Sequence, residues 1–266
     1  MVDGLAHVEA VDISCGASHT AVIAAAKGEM TFVRIPRRNN EADPTSPQTM
    51  SPSEKWRKEG EAEYLVCGDL YTFGLPKAGQ LGIPATTTKK CIASPQIVSF
   101  FPENGYRVAK VSCGMHHTVI LAVPVHALRV FMTHVFTCGW GEHGRLGHGT
   151  EDTKAYPTMV EFPTSFHALT ISAGEQHTVA AGASEAYSWG SNSFGQLGVG
   201  NPQNRDMQCI LSPVKIPLPE GMTLRTVVAG GRHTAAITSC GRFLSWGWNV
   251  RSVCIHTTAQ SLKHII

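Results

Sequence analysis

Short apolar runs recur along this chain, separated by clusters of glycine, proline, asparagine and serine. One set follows each of four His-Thr pairs, and its members read AVIAAA, VILAV, VAAGA and AAIT. A second set precedes glycine-rich turns and occupies residues 70–73, 135–138, 186–189 and 243–246. Runs of this length bounded by turn-forming residues are typical of β-strands. Because no segment combines caps with an apolar period near 3.6 residues over a helical length, the pattern predicts an all-β chain.

The glycine-rich turns themselves repeat. They read GLPKAGQLG at 74–82, GWGEHGRLG at 139–147 and GSNSFGQLG at 190–198. A single loop of this composition could cradle a phosphate, but a phosphate loop occurs once and ends in Lys followed by Ser or Thr. Here the loop occurs three times without that pair, so it indicates a structural repeat. We predict that its leucines are equivalent buried residues, at Leu81, Leu146 and Leu197.

A second motif, Gly-x-x-His-Thr, alternates with the glycine turns. Its glycines and histidines are Gly16 and His19, Gly114 and His117, Gly174 and His177, and Gly230 and His233. The glycines that open the turns, at 74, 139, 190 and 247, lie 65, 51 and 57 residues apart. A unit of ~50 residues that holds several short strands is typical of a β-propeller blade.

The alternation of these two motifs resembles the regulator-of-chromosome-condensation repeat. The resemblance covers most of 11–248 and implies a β-propeller of seven four-stranded blades. Along this chain it assigns the end of one repeat to 11–26, whole repeats to 67–122, 135–181 and 186–238, and the start of a truncated repeat to 243–249. We therefore expect one repeat domain over 1–266, with about four blades and an off-pattern tail at 250–266. An open, incomplete arc is favoured; the alternative joins 11–26 with 243–249 in one composite blade and closes a small four-bladed ring.

A long insertion interrupts the repeats at 27–66. Much of it is charged, rich in proline and nearly free of aliphatic side chains, so burial cannot offset the entropy of ordering it. We expect a flexible surface loop, weakly ordered over 36–63. Ser46 and Ser51 each precede a proline, and basic residues lie nearby, so both serines are candidate phosphorylation sites in a regulatory or partner-binding loop.

The four histidines are the strongest candidates for chemistry, yet their spacing argues against it. One histidine per blade, at the same depth in each, would place them around the axis and far from one another. A metal site or an acid–base pair needs groups that converge within a few ångströms. We predict a structural role in which each histidine hydrogen-bonds a neighbouring strand or loop, with its threonine doing similar work. The motif glycines serve close approach or positive φ, and no cofactor or metal is expected.

The composition indicates which partners and which cellular compartment to expect. Apolar residues make up 42% of the 266 residues and the net charge is only +2, which argues against a nucleic-acid or chromatin surface. The eight cysteines show no Cys-x-x-Cys spacing, as expected in a reducing compartment. The first residues lack the regions of a signal peptide, and no window reads as a membrane span. These features predict an intracellular protein, cytoplasmic or nuclear.

No catalytic motif is present, so the sequence predicts a protein that is not an enzyme. A propeller offers loop-lined faces for docking, and the resemblance implies a protein-interaction scaffold whose partners are other proteins, such as a small GTPase or a ubiquitin-pathway component. The first alternative is a guanine-nucleotide exchange factor for a Ran-class GTPase. The second is an ultraviolet-B photoreceptor, but the slot that holds tryptophan in that use holds Ala17, Met115, Glu175 and Gly231. We interpret Trp140, Trp189, Trp246 and Trp248 as packing residues.

Overall fold

A computed structural model describes residues 5, 8–26, 29–34, 64–84, 91–127, 132–163, 165–200, 208–219 and 221–248. Within these ranges the chain is built from antiparallel β-sheets, with one four-residue helix, α1, at Phe100–Glu103. No helix in the described ranges is long and apolar enough to cross a membrane.

Four of the five sheets in the described ranges follow one another along the chain, and we call them blades 1 to 4. Blade 1 contains β1 (Val8–Cys15), β2 (His19–Ala26), β5 (Asp69–Gly74) and β6 (Ile92–Ile97), with a hairpin of β3 (Thr31–Arg34) and β4 (Tyr64–Cys67) inserted. Blade 2 contains β7 (Tyr106–Cys113), β8 (His117–Pro124), β9 (His134–Gly139) and β10 (Lys154–Met159). Blade 3 contains β11 (Ala168–Ala173), β12 (His177–Gly182), β13 (Ala186–Ser191) and β14 (Cys209–Lys215). Blade 4 contains β15 (Leu224–Ala229), β16 (His233–Thr238) and β17 (Phe243–Gly247).

Each blade is an up-and-down meander in which the Gly-x-x-His-Thr motif joins the first strand to the second. The first strands β1, β7, β11 and β15 lie next to one another in that order, so the blades radiate from a common centre. A whole sequence repeat therefore supplies the two outer strands of one blade and the two inner strands of the next. This offset ties successive blades together covalently.

The core lies between blades, because the second strands alternate strictly between the two faces. In β12, Val179 and Ala181 pack toward blade 4, whereas Ala180 packs toward blade 2. All three side chains are buried. A strand with both faces covered reads as a continuous apolar run, which is why the segments after each His-Thr pair show no polar alternation.

The outer strands of blades 1 to 3 are marked by a proline and not by an apolar run. β6, β10 and β14 each contain a proline, at Pro95, Pro157 and Pro213, and the pairing register shifts in their ladders. Proline lacks the N–H that an interior strand needs, so it is tolerated in edge strands. Three residues later the chain bonds back to the third strand of each blade, for example through Val98 N–H to Leu70 O at 2.8 Å.

The ring does not close within the described residues. There β2 pairs with β1 and β5, and β17 pairs only with β16. The prediction of an all-β propeller of about four blades in an open arc is therefore confirmed, and the alternative of a closed four-bladed ring is wrong. The off-pattern tail at 250–266 lies outside the described residues.

The bounds of the predicted flexible insertion at 27–66 need correction at both ends. Residues 31–34 and 64–67 form the β3–β4 hairpin. Val33 and Leu65 are buried against Ala109 and Val123 of blade 2, which gives these strand residues an apolar surface to cover. The weakly ordered stretch expected at 36–63, with the candidate phosphorylation sites Ser46 and Ser51, lies outside the described residues.

Candidate protein-interaction face

One face of the arc is formed by the two repeated motifs, and we call it the turn face. It carries the Gly-x-x-His-Thr turns and the glycine loops at 74–82, 139–147 and 190–198. In all four blades the residue after the glycine that opens the turn, at 74, 139, 190 or 247, donates its N–H to the turn residue that precedes histidine. The donors are Leu75, Trp140, Ser191 and Trp248, at 2.8–2.9 Å from the carbonyls of Ser18, His116, Gln176 and Arg232. The two motifs therefore form one surface.

The motif glycine is required by the histidine three residues later. Gly114 N–H donates to His117 O at 2.8 Å and closes the turn. A Cβ at Gly114 would lie 2.2 Å from Cε1 of the His117 ring and 2.6 Å from the carbonyl oxygen of Gly174 in the next blade. Only a residue without Cβ leaves room for the ring between two blades, which explains why glycine and histidine recur together.

The motif histidine joins each blade to the next. His19 Nε2 lies 2.8 Å from Thr118 Oγ1, His117 Nε2 lies 3.1 Å from Thr178 Oγ1, and His177 Nε2 lies 3.0 Å from Thr234 Oγ1. Each threonine hydroxyl in turn donates to a glycine-loop carbonyl of the preceding blade, at 2.6–2.8 Å from Gln80 O, Arg145 O and Gln196 O. The histidine of blade n and the threonine of blade n+1 thus form one buried link.

This geometry determines where the imidazole proton is. Because the threonine hydroxyl donates to a carbonyl, it must accept from the histidine, so Nε2 carries the proton and Nδ1 does not. The Nδ1 atoms of His19, His117 and His177 are buried, and they have no hydrogen-bond partner among the described residues. Burial lowers the pKa of His19 to about 4 and that of His177 to about 3, and it lowers the pKa of His117 well below its usual value. The three rings are neutral and enclosed.

The glycine loops pack their leucines into the blades. Leu81, Leu146 and Leu197 are all buried. A hydroxyl of the third strand donates to each leucine carbonyl, from Thr72, Thr137 and Ser188, at 2.7–2.8 Å. Each loop is thereby held by its own blade through the leucine and by the next blade through the threonine link. The turn face consequently has a rigid frame.

The glycine loops and turns of the turn face expose several large apolar side chains to solvent. Trp140, Trp248, Phe194 and Leu75 are all exposed on the turn face. The interpretation of the tryptophans as packing residues is correct for Trp189 and Trp246, which are buried, and wrong for Trp140 and Trp248. The two buried indoles donate from Nε1 to the carbonyls of Arg145 and Gln196, at 3.0 and 2.9 Å.

The exposed aromatics surround arginine side chains. The Arg232 guanidinium lies 5.2 Å from the ring centroid of Phe194 and 5.2 Å from that of Trp248, and the two rings are 5.5 Å apart. Arg232 Nε also lies 3.3 Å from Glu175 Oε2. In blade 2 the buried Arg145 guanidinium lies 5.3 Å from the Trp140 ring, which also contacts His116. Cation–π contacts of this kind hold flat, partly apolar surfaces in place.

Within the described residues, the side chains that could bind a metal or perform acid–base chemistry are not grouped together. Across the described ranges no three His, Cys, Asp or Glu side chains are grouped so that they could hold a metal ion. Burial raises the pKa of the Cys67 and Cys113 thiols to about 12, so neither is a thiolate at neutral pH. The turn face exposes aromatic and arginine side chains, which are residue types enriched in protein–protein interfaces.

Comparison with known proteins finds matches across most of the described sheets. The family model of the regulator of chromosome condensation (RCC1) repeat matches residues 67–121, 134–181 and 184–237. The chain is 33% identical over 181 residues to Ultraviolet-B receptor UVR8 of Arabidopsis thaliana, covering 68% of this chain and 37% of the receptor. It is 33% identical over 141 residues to Probable E3 ubiquitin-protein ligase HERC6 of Homo sapiens, covering 52% of this chain and 13% of the ligase.

Solved structures agree on the fold. Human WBSCR16 matches with a TM-score of 0.61 at 18% identity, over 90% of this chain and 49% of that chain. Prp20p from Saccharomyces cerevisiae, reported with its binding properties to Gsp1p and histones, matches with a TM-score of 0.59 at 15% identity, over 90% and 44%. The chain therefore spans less than half the length of each of these four proteins.

Proposed function

The chain belongs to the family of proteins built from regulator of chromosome condensation repeats, and from that premise we propose that it is a non-catalytic protein-interaction scaffold. Its partner is another protein, and the docking surface is the turn face. The observation that carries the proposal is the exposed cluster of Phe194, Arg232 and Trp248, held by the bonds between the motifs.

The composition of this cluster supports binding of a protein. Tryptophan and arginine are enriched among the residues that dominate protein–protein affinity, because they bury large areas and still form polar contacts. Arg232 comes from blade 4 and Phe194 from the glycine loop of blade 3. A partner that covers both would contact two blades whose relative position is set by the His177–Thr234 link. Such preorganisation reduces the entropy that binding costs.

Ultraviolet sensing and guanine-nucleotide exchange are two more specific functions for a chain of this family. Ultraviolet sensing is not favoured, because none of the four slots at Ala17, Met115, Glu175 and Gly231 holds a tryptophan. Guanine-nucleotide exchange on a Ran-class GTPase would be one form of docking, and ubiquitin-pathway proteins would be another class of partner. No contact in the described part of the chain favours one of these over the other.

The proposal is tested by quantitative affinity capture from cell extract with two matched variants. The face variant combines Trp140→Ala with Arg232→Ala. The control combines Tyr156→Ala with Met159→Ala, two exposed residues of the outer strand β10. We expect specific partners to fall at least about tenfold with the face variant, as the loss of one or two dominant contacts implies.

The same partners should remain at the wild-type level with the control, and both variants should keep the wild-type thermal unfolding midpoint. Partners retained equally by both variants would contradict docking on the turn face. If a small GTPase is among the captured proteins, a nucleotide-release assay then decides whether docking includes exchange.

A further inference from the structure

The glycine loop at 139–147 differs from the other two loops at its seventh residue. In the loops at 74–82 and 190–198 that residue is a buried glutamine, Gln80 or Gln196. Each glutamine accepts a backbone N–H of its own loop at Oε1, at 2.8 Å, and its Nε2 lies 3.2–3.4 Å from a serine hydroxyl. Both glutamines therefore use their polar groups within their own blade.

Arg145 takes the place of glutamine in the loop at 139–147. Its side chain is equally buried, with 1% exposed. Nε donates to Glu142 O at 2.7 Å, but Nη1 and Nη2 have no hydrogen-bond partner among the described residues. Nη2 lies 3.5 Å from Glu142 Oε2, which is longer than an ordinary hydrogen bond. A buried guanidinium with unused donors is unfavourable, because burial removes the water that would otherwise bond them.

The backbone of this loop also differs from that of the other two. His143 N–H, which the glutamine oxygen would accept in the other loops, donates to Glu151 Oε1 at 2.8 Å. His143 has a φ of +61°, and every other described residue with a positive φ is glycine. This conformation is strained for a residue with a side chain, and such strain is concentrated at functional sites. The loop therefore combines unpaired donors with a strained residue two positions away.

The Arg145 guanidinium lies close to the surface of the turn face. It is 5.3 Å from the Trp140 ring, which is 39% exposed, and the side chain of Glu142 is 43% exposed. Rotation of these two side chains would uncover Nη1 and Nη2 without movement of the backbone.

Two other glutamates are near enough to act on the charge of Arg145, but each has a partner of its own. Glu151 accepts from the backbone of His143, and Glu175 Oε2 lies 3.3 Å from Arg232 Nε. Among the described residues, Glu142 is therefore the carboxylate that competes for the unused donors.

We propose that Arg145 is the anchor for an acidic side chain, aspartate or glutamate, of a protein that docks on the turn face. Glu142 holds the place of this side chain in the free molecule and turns to solvent when the partner binds. The proposal rests on docking at the turn face and adds the chemistry of the partner.

The geometry of the unused donors favours a carboxylate. The two Nη groups of a guanidinium form a planar fork that matches both oxygens of a carboxylate, and such paired, charge-assisted hydrogen bonds are strong. One carboxylate also balances the single charge of Arg145. A phosphate group, with a charge of about −1.5 to −2, would add more negative charge beside Glu142 and Glu151 and is disfavoured.

The first test asks whether the fold needs Arg145. Arg145→Gln restores the residue that the other two loops carry at this position. We expect the urea midpoint of this variant to equal or exceed that of the wild type, because a buried charge with unused donors is removed. A lower midpoint would show that Arg145 is a structural residue and would overturn the proposal.

The second test asks what the anchor binds. Peptides are selected on the full chain from a random phage-displayed library and synthesised, and their affinities are measured by fluorescence anisotropy. We expect them to contain an aspartate or glutamate whose replacement by the amide weakens binding at least about tenfold. Arg145→Gln should weaken binding by a similar factor. Glu142→Gln should strengthen it by up to about fivefold, the size of an exposed ion pair.

Arg225→Gln is the matched control, because it makes the same change at an exposed residue of β15, at the end away from the turn. It should leave the affinity unchanged. A double-mutant cycle shows whether the contact is direct: on Arg145→Gln, the amide replacement in the peptide should have little further effect.

Four binding results would overturn the proposal. They are a library that yields no binder, selected peptides without an acidic residue, effects of the two replacements that add in full, and tighter binding of a peptide with phosphoserine at the acidic position. The face variant of Trp140 and Arg232 separates this proposal from docking itself. Peptides that lose affinity for the face variant but not for Arg145→Gln would leave docking in place and remove the anchor. Peptides that keep their affinity for both would contradict docking on the turn face.

Discussion

Replacement of Thr178 by valine should test the link between blades most directly. The Thr178 hydroxyl lies 3.1 Å from His117 Nε2 and donates to Arg145 O at 2.8 Å, and the whole residue is buried. Valine has nearly the same shape, so no cavity forms and the loss is confined to hydrogen bonds. The change leaves the His117 N–H buried without an acceptor.

The magnitude follows from the partners that remain. An orphaned buried donor costs about 1–3 kcal/mol, and a lost neutral hydrogen bond costs about 1 kcal/mol. The Arg145 carbonyl keeps the Trp189 indole at 3.0 Å, so it is not orphaned. We therefore expect Thr178→Val to lower the free energy of unfolding by about 2–4 kcal/mol. Urea unfolding followed by tryptophan fluorescence and by circular dichroism measures the change.

Thr20→Val is the matched control, because it makes the same change in the same motif. Thr20 is half-buried, and within the part of the chain that the structure describes its hydroxyl reaches only the Cys15 sulfur, at 3.8 Å. The expected cost is below about 0.5 kcal/mol. Equal costs for Thr178→Val and Thr20→Val would refute the inter-blade link as a source of stability. A Thr178→Val variant that changed only the dependence of the unfolding free energy on urea concentration, and not the urea midpoint, would also count against this link.

Three further predictions follow from the same contacts. Gly174→Ala should destabilise the protein by at least about 1–3 kcal/mol in a thermal unfolding assay, because its Cβ would lie 2.3 Å from the His177 ring and 2.6 Å from Gly230 O. Gly231→Ala is the control: its Cβ would have its nearest contact at 3.7 Å, so it should be nearly neutral. Leu197→Ala should cost ~2–4 kcal/mol in urea unfolding, and Met159→Ala on the surface should cost little; equal costs would contradict the equivalence of the buried leucines. The protein should become less stable as pH decreases from 7 to 5, because the pKa values of His19 and His177 are lowered to about 4 and about 3 in the folded state. The contribution of each neutral histidine to stability is complete above the unfolded pKa of about 6.5 and is lost as pH falls toward the folded value, by about 2 kcal/mol per histidine at pH 5. An unchanged urea midpoint between pH 7 and pH 5 would contradict neutral buried rings.

The repeat architecture could be predicted because it depends on local sequence patterns. Turn glycines and short apolar runs mark hairpins wherever they occur, so the third strands at 70–73, 135–138, 186–189 and 243–246 lie within β5, β9, β13 and β17. A structural role for the histidines is a prediction from their spacing, since one residue per blade is not expected to converge on a substrate. The outer strands were not predicted, although the prolines at 95, 157 and 213, each followed three residues later by a valine or isoleucine, provide a signal.

The exposed aromatics show where local pattern fails. Trp246 and Trp248 are separated by one glycine, and sequence reasoning gave them the same role. In the structure Gly247 has a φ of +106°, and Trp248 N–H donates to Arg232 O instead of continuing the strand. One indole is therefore buried and the other faces solvent beside Arg232. The direction of a side chain after a positive-φ glycine depends on what the backbone docks against, which is a tertiary contact.

The sequence by itself determined the inner and third strands of the blades, the repeat and the number of blades to about four. Only the tertiary structure decided which residues of different repeats meet. His19 and Thr118 are 99 residues apart, and His117 and Thr178 are 61 apart, so no local propensity links them. It also decided that Ile13 and Val228 are exposed, because burial in this fold comes from the neighbouring blade and not from the strand that carries the side chain. An apolar residue at a repeated position is core only where a neighbouring blade is present to cover it.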